Sequence, residues 1–177
     1  MGVNVRVLLV DDHAVVRTGF RLLLQAHPGT TVVGEADSGE MAYKRFVELS
    51  PDVVVMDIRL PGKSGIEATR EIVKKFPEIK VIMLTSYAED EMLFSAIRAG
   101  ASGYILKQIG GEELVRALEQ VHAGETVVDS TMAARVASSA ARLDSGEFWP
   151  GARLGLSQRG CTEKTRTNSG SNHQAEI

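Results

Sequence analysis

The chain has 177 residues, 44% of them hydrophobic and 24% charged, with a formal net charge of -3. That balance suits a soluble globular protein of one domain plus a modest extension, and its mild acidity argues against a bulk basic surface for nucleic acid. No apolar run approaches the roughly 18–20 residues of a membrane span, the N-terminus lacks a secretory signal, and Cys161 is the single cysteine, so a cytoplasmic protein with no membrane partner is expected.

From residue 5 to residue 123, short β-branched runs alternate with amphipathic stretches. Residues 5–10 predict a strand, and residues 14–25 a helix with Val15, Phe20, Leu23 and Leu24 at helical spacing. A second strand follows over 31–36, then a helix over 39–49 that opens at Ser38 and carries Met41, Ala42, Phe46 and Leu49. The third strand covers 53–57, and the helix over 65–75 has Ser64 as N-cap and Ile66, Thr69, Ile72 and Val73 on one face. The fourth strand covers 81–85, and its helix over 90–99 carries Leu93, Ala96 and Ile97 and stops at Gly100. A fifth strand over 103–106 leads to a helix over 111–123 with Leu114, Leu118 and Val121. Several strands are nearly apolar throughout, as strands covered on both faces must be. Five β-α repeats mean an α/β fold, a parallel sheet with helices on both faces.

After Gly124 the pattern changes. Residues 130–142 are alanine-rich and predict a helical linker over 125–143. The tail over 144–177 holds Trp149 and Cys161, has too few apolar residues to close a core, and is expected to be flexible. The domain proper is therefore expected over 1–124.

In doubly wound sheets the working site lies beyond the carboxyl ends of the strands. Here the first strand ends in Asp11-Asp12, the third in Asp57, the fourth in Thr85-Ser86 and the fifth in Leu106-Lys107. Three converging carboxylates repel one another and call for a cation. Their oxygen ligands favour a hard ion such as Mg²⁺. A carboxylate beside such an ion can attack phosphorus to form an acyl phosphate. Lys107 and the Thr85 hydroxyl would then answer charge on the phosphoryl oxygens.

Asp11-Asp12, Asp57, Thr85 and Lys107, in this order and with spacings of 45, 28 and 22 residues from Asp12 onward, resemble the receiver domain of two-component response regulators. The likeness covers about residues 3–124. Leu-Val-Asp-Asp-His at 9–13, Arg-Leu-Pro-Gly at 59–62, Leu-Thr-Ser-Tyr at 84–87 and Gly-Ala-Ser-Gly-Tyr-Ile-Leu-Lys at 100–107 resemble the NarL/FixJ (LuxR-type) branch. The resemblance implies a flavodoxin-like (βα)5 fold, a doubly wound five-stranded sheet of order 2-1-3-4-5. It implies that Asp57 accepts phosphate from a sensor histidine kinase, with no enzymatic role beyond self-phosphorylation and self-dephosphorylation. Asp12, Asp57 and the backbone carbonyl of Arg59 would bind Mg²⁺, and Asp11 would assist through the metal's waters. Thr85 and Tyr104 would be the switch pair.

Blander assignments stand beside these. His13 reads as a solvated or capping histidine rather than a base, and Met56 and Met83 as core packing. The Arg59 side chain has no role assigned. Gly62 and Gly65 flank no nucleotide-loop pattern. A phosphohydrolase of the haloacid-dehalogenase type needs a second aspartate two residues after its nucleophile, where this chain has Arg59. A flavin-binding relative of the fold would carry Ser, Thr and Gly at the first strand end, where this chain has two acids.

NarL/FixJ regulators continue into a four-helix DNA-binding domain of about 60 residues, whereas 34 residues follow Leu143. Leu156-Ser-Gln-Arg159 resembles the opening of that domain, but the following residues do not continue it. A truncation, a frame change and vector-derived residues all remain open. The parent protein is expected to regulate transcription, with DNA contacted only through a domain not intact here. A stand-alone receiver acting through protein contacts is the alternative. By the resemblance, receivers of this branch often pair as symmetric homodimers. The Leu114/Leu118/Val121 stripe is one candidate dimer face, with a core-facing role its alternative.

Overall fold

A computed structural model describes residues 3–140; the tail expected over 144–177 lies outside the described residues. In chain order the elements are β1 (Val5–Val10), α1 (Ala14–Gln25), β2 (Thr30–Ala36), α2 (Gly39–Leu49), β3 (Val53–Asp57) and α3 (Gly65–Lys75). They continue with β4 (Lys80–Thr85), α4 (Asp90–Ala99), β5 (Gly103–Leu106), α5 (Gly111–His122), β6 (Val127–Val128) and α6 (Ser130–Ala140). All the strand pairs are parallel, and the sheet order is β2-β1-β3-β4-β5-β6. The expected 2-1-3-4-5 core is present, with one more strand at its edge.

The apolar strands divide by alternation into two cores, because successive side chains point to opposite faces. Val7, Leu9, Val53, Val55, Ile82, Leu84 and Ile105 pack with Phe20 and Leu24 of α1 and with Leu114, Leu118 and Val121 of α5. Leu8, Val10, Val54, Met56, Val81, Met83 and Tyr104 pack on the other side with α2, α3 and α4. The Leu114/Leu118/Val121 stripe is wholly buried, which overturns it as a dimer face. It belongs to the core.

The expected helix ends are in place. Ser38 Oγ accepts from the Met41 amide at 3.3 Å. Ser64 and Glu67 exchange bonds at 3.2 and 2.9 Å in a capping box. Gly100 ends α4 at φ 94°, a conformation glycine adopts without strain.

α1 departs from the expected stripe. Its inward row is Val16, Phe20 and Leu24, four residues apart, whereas Val15 is 86% exposed and Leu23 is 44% exposed. Spacing alone assigned these to the core, but a helix touching one sheet face and one neighbour buries a narrower row than its apolar residues span.

β6 and α6 extend the folded body. Val127 and Val128 pair with Gly103 and Tyr104 of β5. α6 then seats Met132, with no exposure, and Val136 against the core under α4. Its Arg135 guanidinium donates to the Ala88 carbonyl and pairs with Asp90 at 3.3 Å. Among the described residues no helix is long and apolar enough to cross a membrane.

Candidate functional site

The parallel register brings the carboxyl ends of four strands together. Asp57 closes β3 opposite Leu84, and Thr85 closes β4 opposite Leu106. The Lys107 amide donates to the Thr85 carbonyl at 2.7 Å, which carries the chain from β5 directly over the site. Asp11 and Asp57, each 3% exposed, face one another across the β1–β3 boundary.

Lys107 bridges them. Its Nζ lies 2.6 Å from Asp11 Oδ2 and 2.9 Å from Asp57 Oδ2. The other oxygens are held by backbone. Asp11 Oδ1 accepts from the His13 amide at 2.8 Å, and Asp57 Oδ1 from the Arg59 amide at 3.2 Å. Burial pushes the Asp57 carboxyl above its usual range, against the bond and charge of Lys107, while the Asp11 charge adds to the rise. Burial also works against the Lys107 charge, but its bonds to Asp11 and Asp57 outweigh that and raise the ammonium.

Asp12 stands at the exposed rim, where its Oδ1 lies 2.9 Å from His13 Nδ1. Asp11, Asp12, His13 and Asp57 each offer a ligand atom, and these atoms lie within 4.8 Å of one another. Of the three carboxylates, the buried Asp11 and Asp57 share the Lys107 ammonium, and Asp12 faces His13. This donor set fits a hard divalent cation.

A cavity of about 260 Å³ opens on Asp57, lined by His13, Arg59, Thr85, Ser86, Tyr87 and Lys107. The Thr85 hydroxyl accepts from the Tyr87 amide at 3.2 Å and donates to the Tyr87 carbonyl at 3.1 Å. Arg59 acquires a structural part that sequence did not assign. Its guanidinium lies over the Tyr87 ring at 5.0 Å and pairs with Glu89 at 3.0 Å, tying the loop after β3 to the loop after β4. The first turn of α3 presses against the end of β3, where a side chain at Gly65 would collide with the Asp57 carbonyl.

Tyr104 stands behind the cluster, next to the Thr85 side chain, which offsets part of the rise that burial imposes on its phenol. Its ring is 1% exposed in the core, and its buried hydroxyl has no hydrogen-bond partner among the described residues. Burial pushes that phenol up to about 12. Met56 and Met83 are fully buried core residues. Sequence reasoning missed the contact of His13 with the acids, for which adjacency to Asp12 was the available signal.

Residues 7–119 match the model of the response regulator receiver domain. The DNA-binding transcriptional activator DevR/DosR of Mycobacterium tuberculosis is 48% identical over 130 residues, 73% of this chain and 60% of that protein. The oxygen regulatory protein NreC of Staphylococcus carnosus is 43% identical over 72% of this chain and 59% of its own length. A solved LuxR-family two-component response regulator from Aurantimonas sp. SI85-9A1 superposes with a TM-score of 0.74. It is 39% identical, over 78% of this chain and 99% of that one. The chain thus spans about 60% of the length of the curated relatives it matches. Fold, convergent acids and sequence likeness agree: this chain belongs to the response regulator receiver family, among regulators of the NarL/LuxR type.

Proposed function

We propose that Asp57 is the phosphoacceptor of this receiver, loaded by a sensor histidine kinase in the cytoplasm. The observation that carries the assignment is Lys107, whose ammonium spans the two buried carboxylates beside an open cavity. In the transfer, an Asp57 oxygen attacks phosphorus as the bond from phosphorus to the donor's leaving atom breaks. The product is an acyl phosphate. Lys107 answers charge on one phosphoryl oxygen. The Thr85 hydroxyl, released from the Tyr87 carbonyl, donates to another. Asp12, Asp57 and the Arg59 carbonyl would hold Mg²⁺, with Asp11 beside them. The ion would supply neutralisation of the carboxylates and of the incoming phosphoryl group.

Thr85 and Tyr104 form the switch pair on this reading. Release of Thr85 from Tyr87 frees the loop after β4, and the Tyr104 ring packs in the core beneath the neighbouring strand. In the parent protein the output is transcription control, by likeness to the DNA-binding relatives. A homodimer would use a face other than the buried α5 stripe. The exposed apolar residues Val15, Leu22 and Leu23 of α1, a helix whose N-cap His13 lines the same cavity, suit docking of the phosphodonor protein.

Incubation with acetyl phosphate and Mg²⁺ tests the assignment by intact mass. A Mg²⁺-dependent gain of about 80 Da, the mass of one phosphoryl group, is expected in the wild type and absent in Asp57→Asn. A folded wild-type protein that gains no mass sinks the proposal.

A further inference from the structure

We infer that His13 is a metal ligand in this site and that it tilts the site's preference from Mg²⁺ toward divalent ions that accept nitrogen, such as Mn²⁺ and Ni²⁺. The inference rests on the metal-assisted reading of the site and adds a residue to it.

His13 follows Asp12 and opens α1, yet it makes no side-chain cap bond to the helix. Its ring turns toward the acids instead. Nδ1 lies 2.9 Å from Asp12 Oδ1 and 3.2 Å from Asp11 Oδ1. Adjacent ligands of an octahedron with bonds of about 2.1 Å stand roughly 3 Å apart. Nδ1 and Asp12 Oδ1 therefore already have the spacing of neighbouring ligands, with Asp11 Oδ1 beside them. Asp57 belongs to the same group, with all ligand atoms within 4.8 Å. Lys107 occupies Oδ2 of Asp11 and Oδ2 of Asp57, so the ammonium and the imidazole approach the acids at different oxygens.

Carboxylate oxygens only accept hydrogen bonds, so without a metal Nδ1 faces them as an N–H donor. His13 would give its Nδ1 lone pair to an ion held among these oxygens, with the proton of the neutral ring on Nε2. The side chain is 65% exposed, so the ring can exchange that proton with solvent and adjust its angle. An imidazole nitrogen contributes little to Mg²⁺, which favours oxygen, and more to Mn²⁺ and Ni²⁺, which rise along the Irving–Williams series. His13 thus acts on selectivity between ions.

The test uses the whole chain, wild type and His13→Ala, with Mn²⁺, Ni²⁺ and Mg²⁺ each titrated alone. Because His13 makes no cap bond, the substitution leaves α1 its backbone start, and retained Mg²⁺ binding reports an intact site. In the variant, Ni²⁺ and Mn²⁺ affinity should fall about tenfold, and Mg²⁺ affinity by less than about twofold. Pulsed electron paramagnetic resonance of the Mn²⁺-loaded wild type should show the nitrogen coupling of a directly bound imidazole, lost in His13→Ala. No nitrogen coupling, or an equal loss for all three ions, overturns the inference. If Mg²⁺-dependent phosphorylation of Asp57 persists in that case, the phosphoacceptor reading survives and only the role of His13 fails. A wild type that binds none of the ions overturns both.

Discussion

Asp57 and Lys107 set the energetics of the site in opposite directions. Burial raises the Asp57 carboxyl above its ordinary value, so the folded chain holds that proton more tightly than the unfolded chain does. Ionising Asp57 therefore costs stability. The cost is absent below the unfolded pKa and complete once pH exceeds the raised folded value. Without divalent ions, Asp57→Asn should be more stable than wild type at neutral pH, by about 1–2 kcal/mol. The gain should vanish as pH falls below the ordinary carboxylate range. Thermal melts in chelator across that range decide it, and an equally stable or weaker variant at neutral pH would contradict the account. Lys107→Ala leaves two buried acids facing one another, and should cost about 2 kcal/mol at neutral pH in the absence of divalent ions. Mg²⁺ should restore part of that loss, and denaturant melts with and without the ion would detect it. The acids, Thr85 and Lys107 were legible because strand ends are legible: each stands where an apolar run stops. The partners of Arg59 were not, because Tyr87 and Glu89 are fixed by the path of a loop that periodicity does not describe.

Among the elements, α1 and α6 carry what the sequence pattern could not assign. Apolar spacing placed Val15 and Leu23 inward, but the sheet and α5 take only the Val16, Phe20 and Leu24 row. The surplus residues remain exposed. Leu22→Asp should slow phosphoryl transfer from a cognate kinase several-fold and leave the rate with acetyl phosphate unchanged. Equal rates from the kinase would remove α1 as the docking face. The β-strands over 5–106 were legible to within a residue because their β-branched runs are long and bounded. β6 was not, since two valines after Gly124 become a strand only by pairing with β5. The alanine-rich run did predict α6. Nothing in it predicted that Met132 would be buried under α4. Met132→Lys should release α6, so that amides over 130–140 exchange rapidly while those of the central strands stay protected.

Across the whole molecule, the loop between β4 and α4 is held from three sides. Thr85 grips the Tyr87 backbone, Arg59 covers the Tyr87 ring and pairs with Glu89, and Arg135 of α6 holds the Ala88 carbonyl and Asp90. Phosphorylation at Asp57 would draw Thr85 away from Tyr87, so the loop would lose one hold while the α6 hold persists. Displacement of the loop then loads the contact with α6, the last element among the described residues. Such a change needs no long path, because one loop of four residues, 86–89, has both sites in contact with it. Beryllofluoride with Mg²⁺ should therefore change amide exchange over 130–140 in the wild type. Thr85→Ala should abolish that response by removing the hydroxyl that moves. Arg135→Ala should abolish it differently, leaving the exchange change at 86–88 intact while α6 no longer follows. Hydrogen-exchange mass spectrometry separates the two variants by segment. If α6 responds in Arg135→Ala as it does in the wild type, the signal leaves the site by another route.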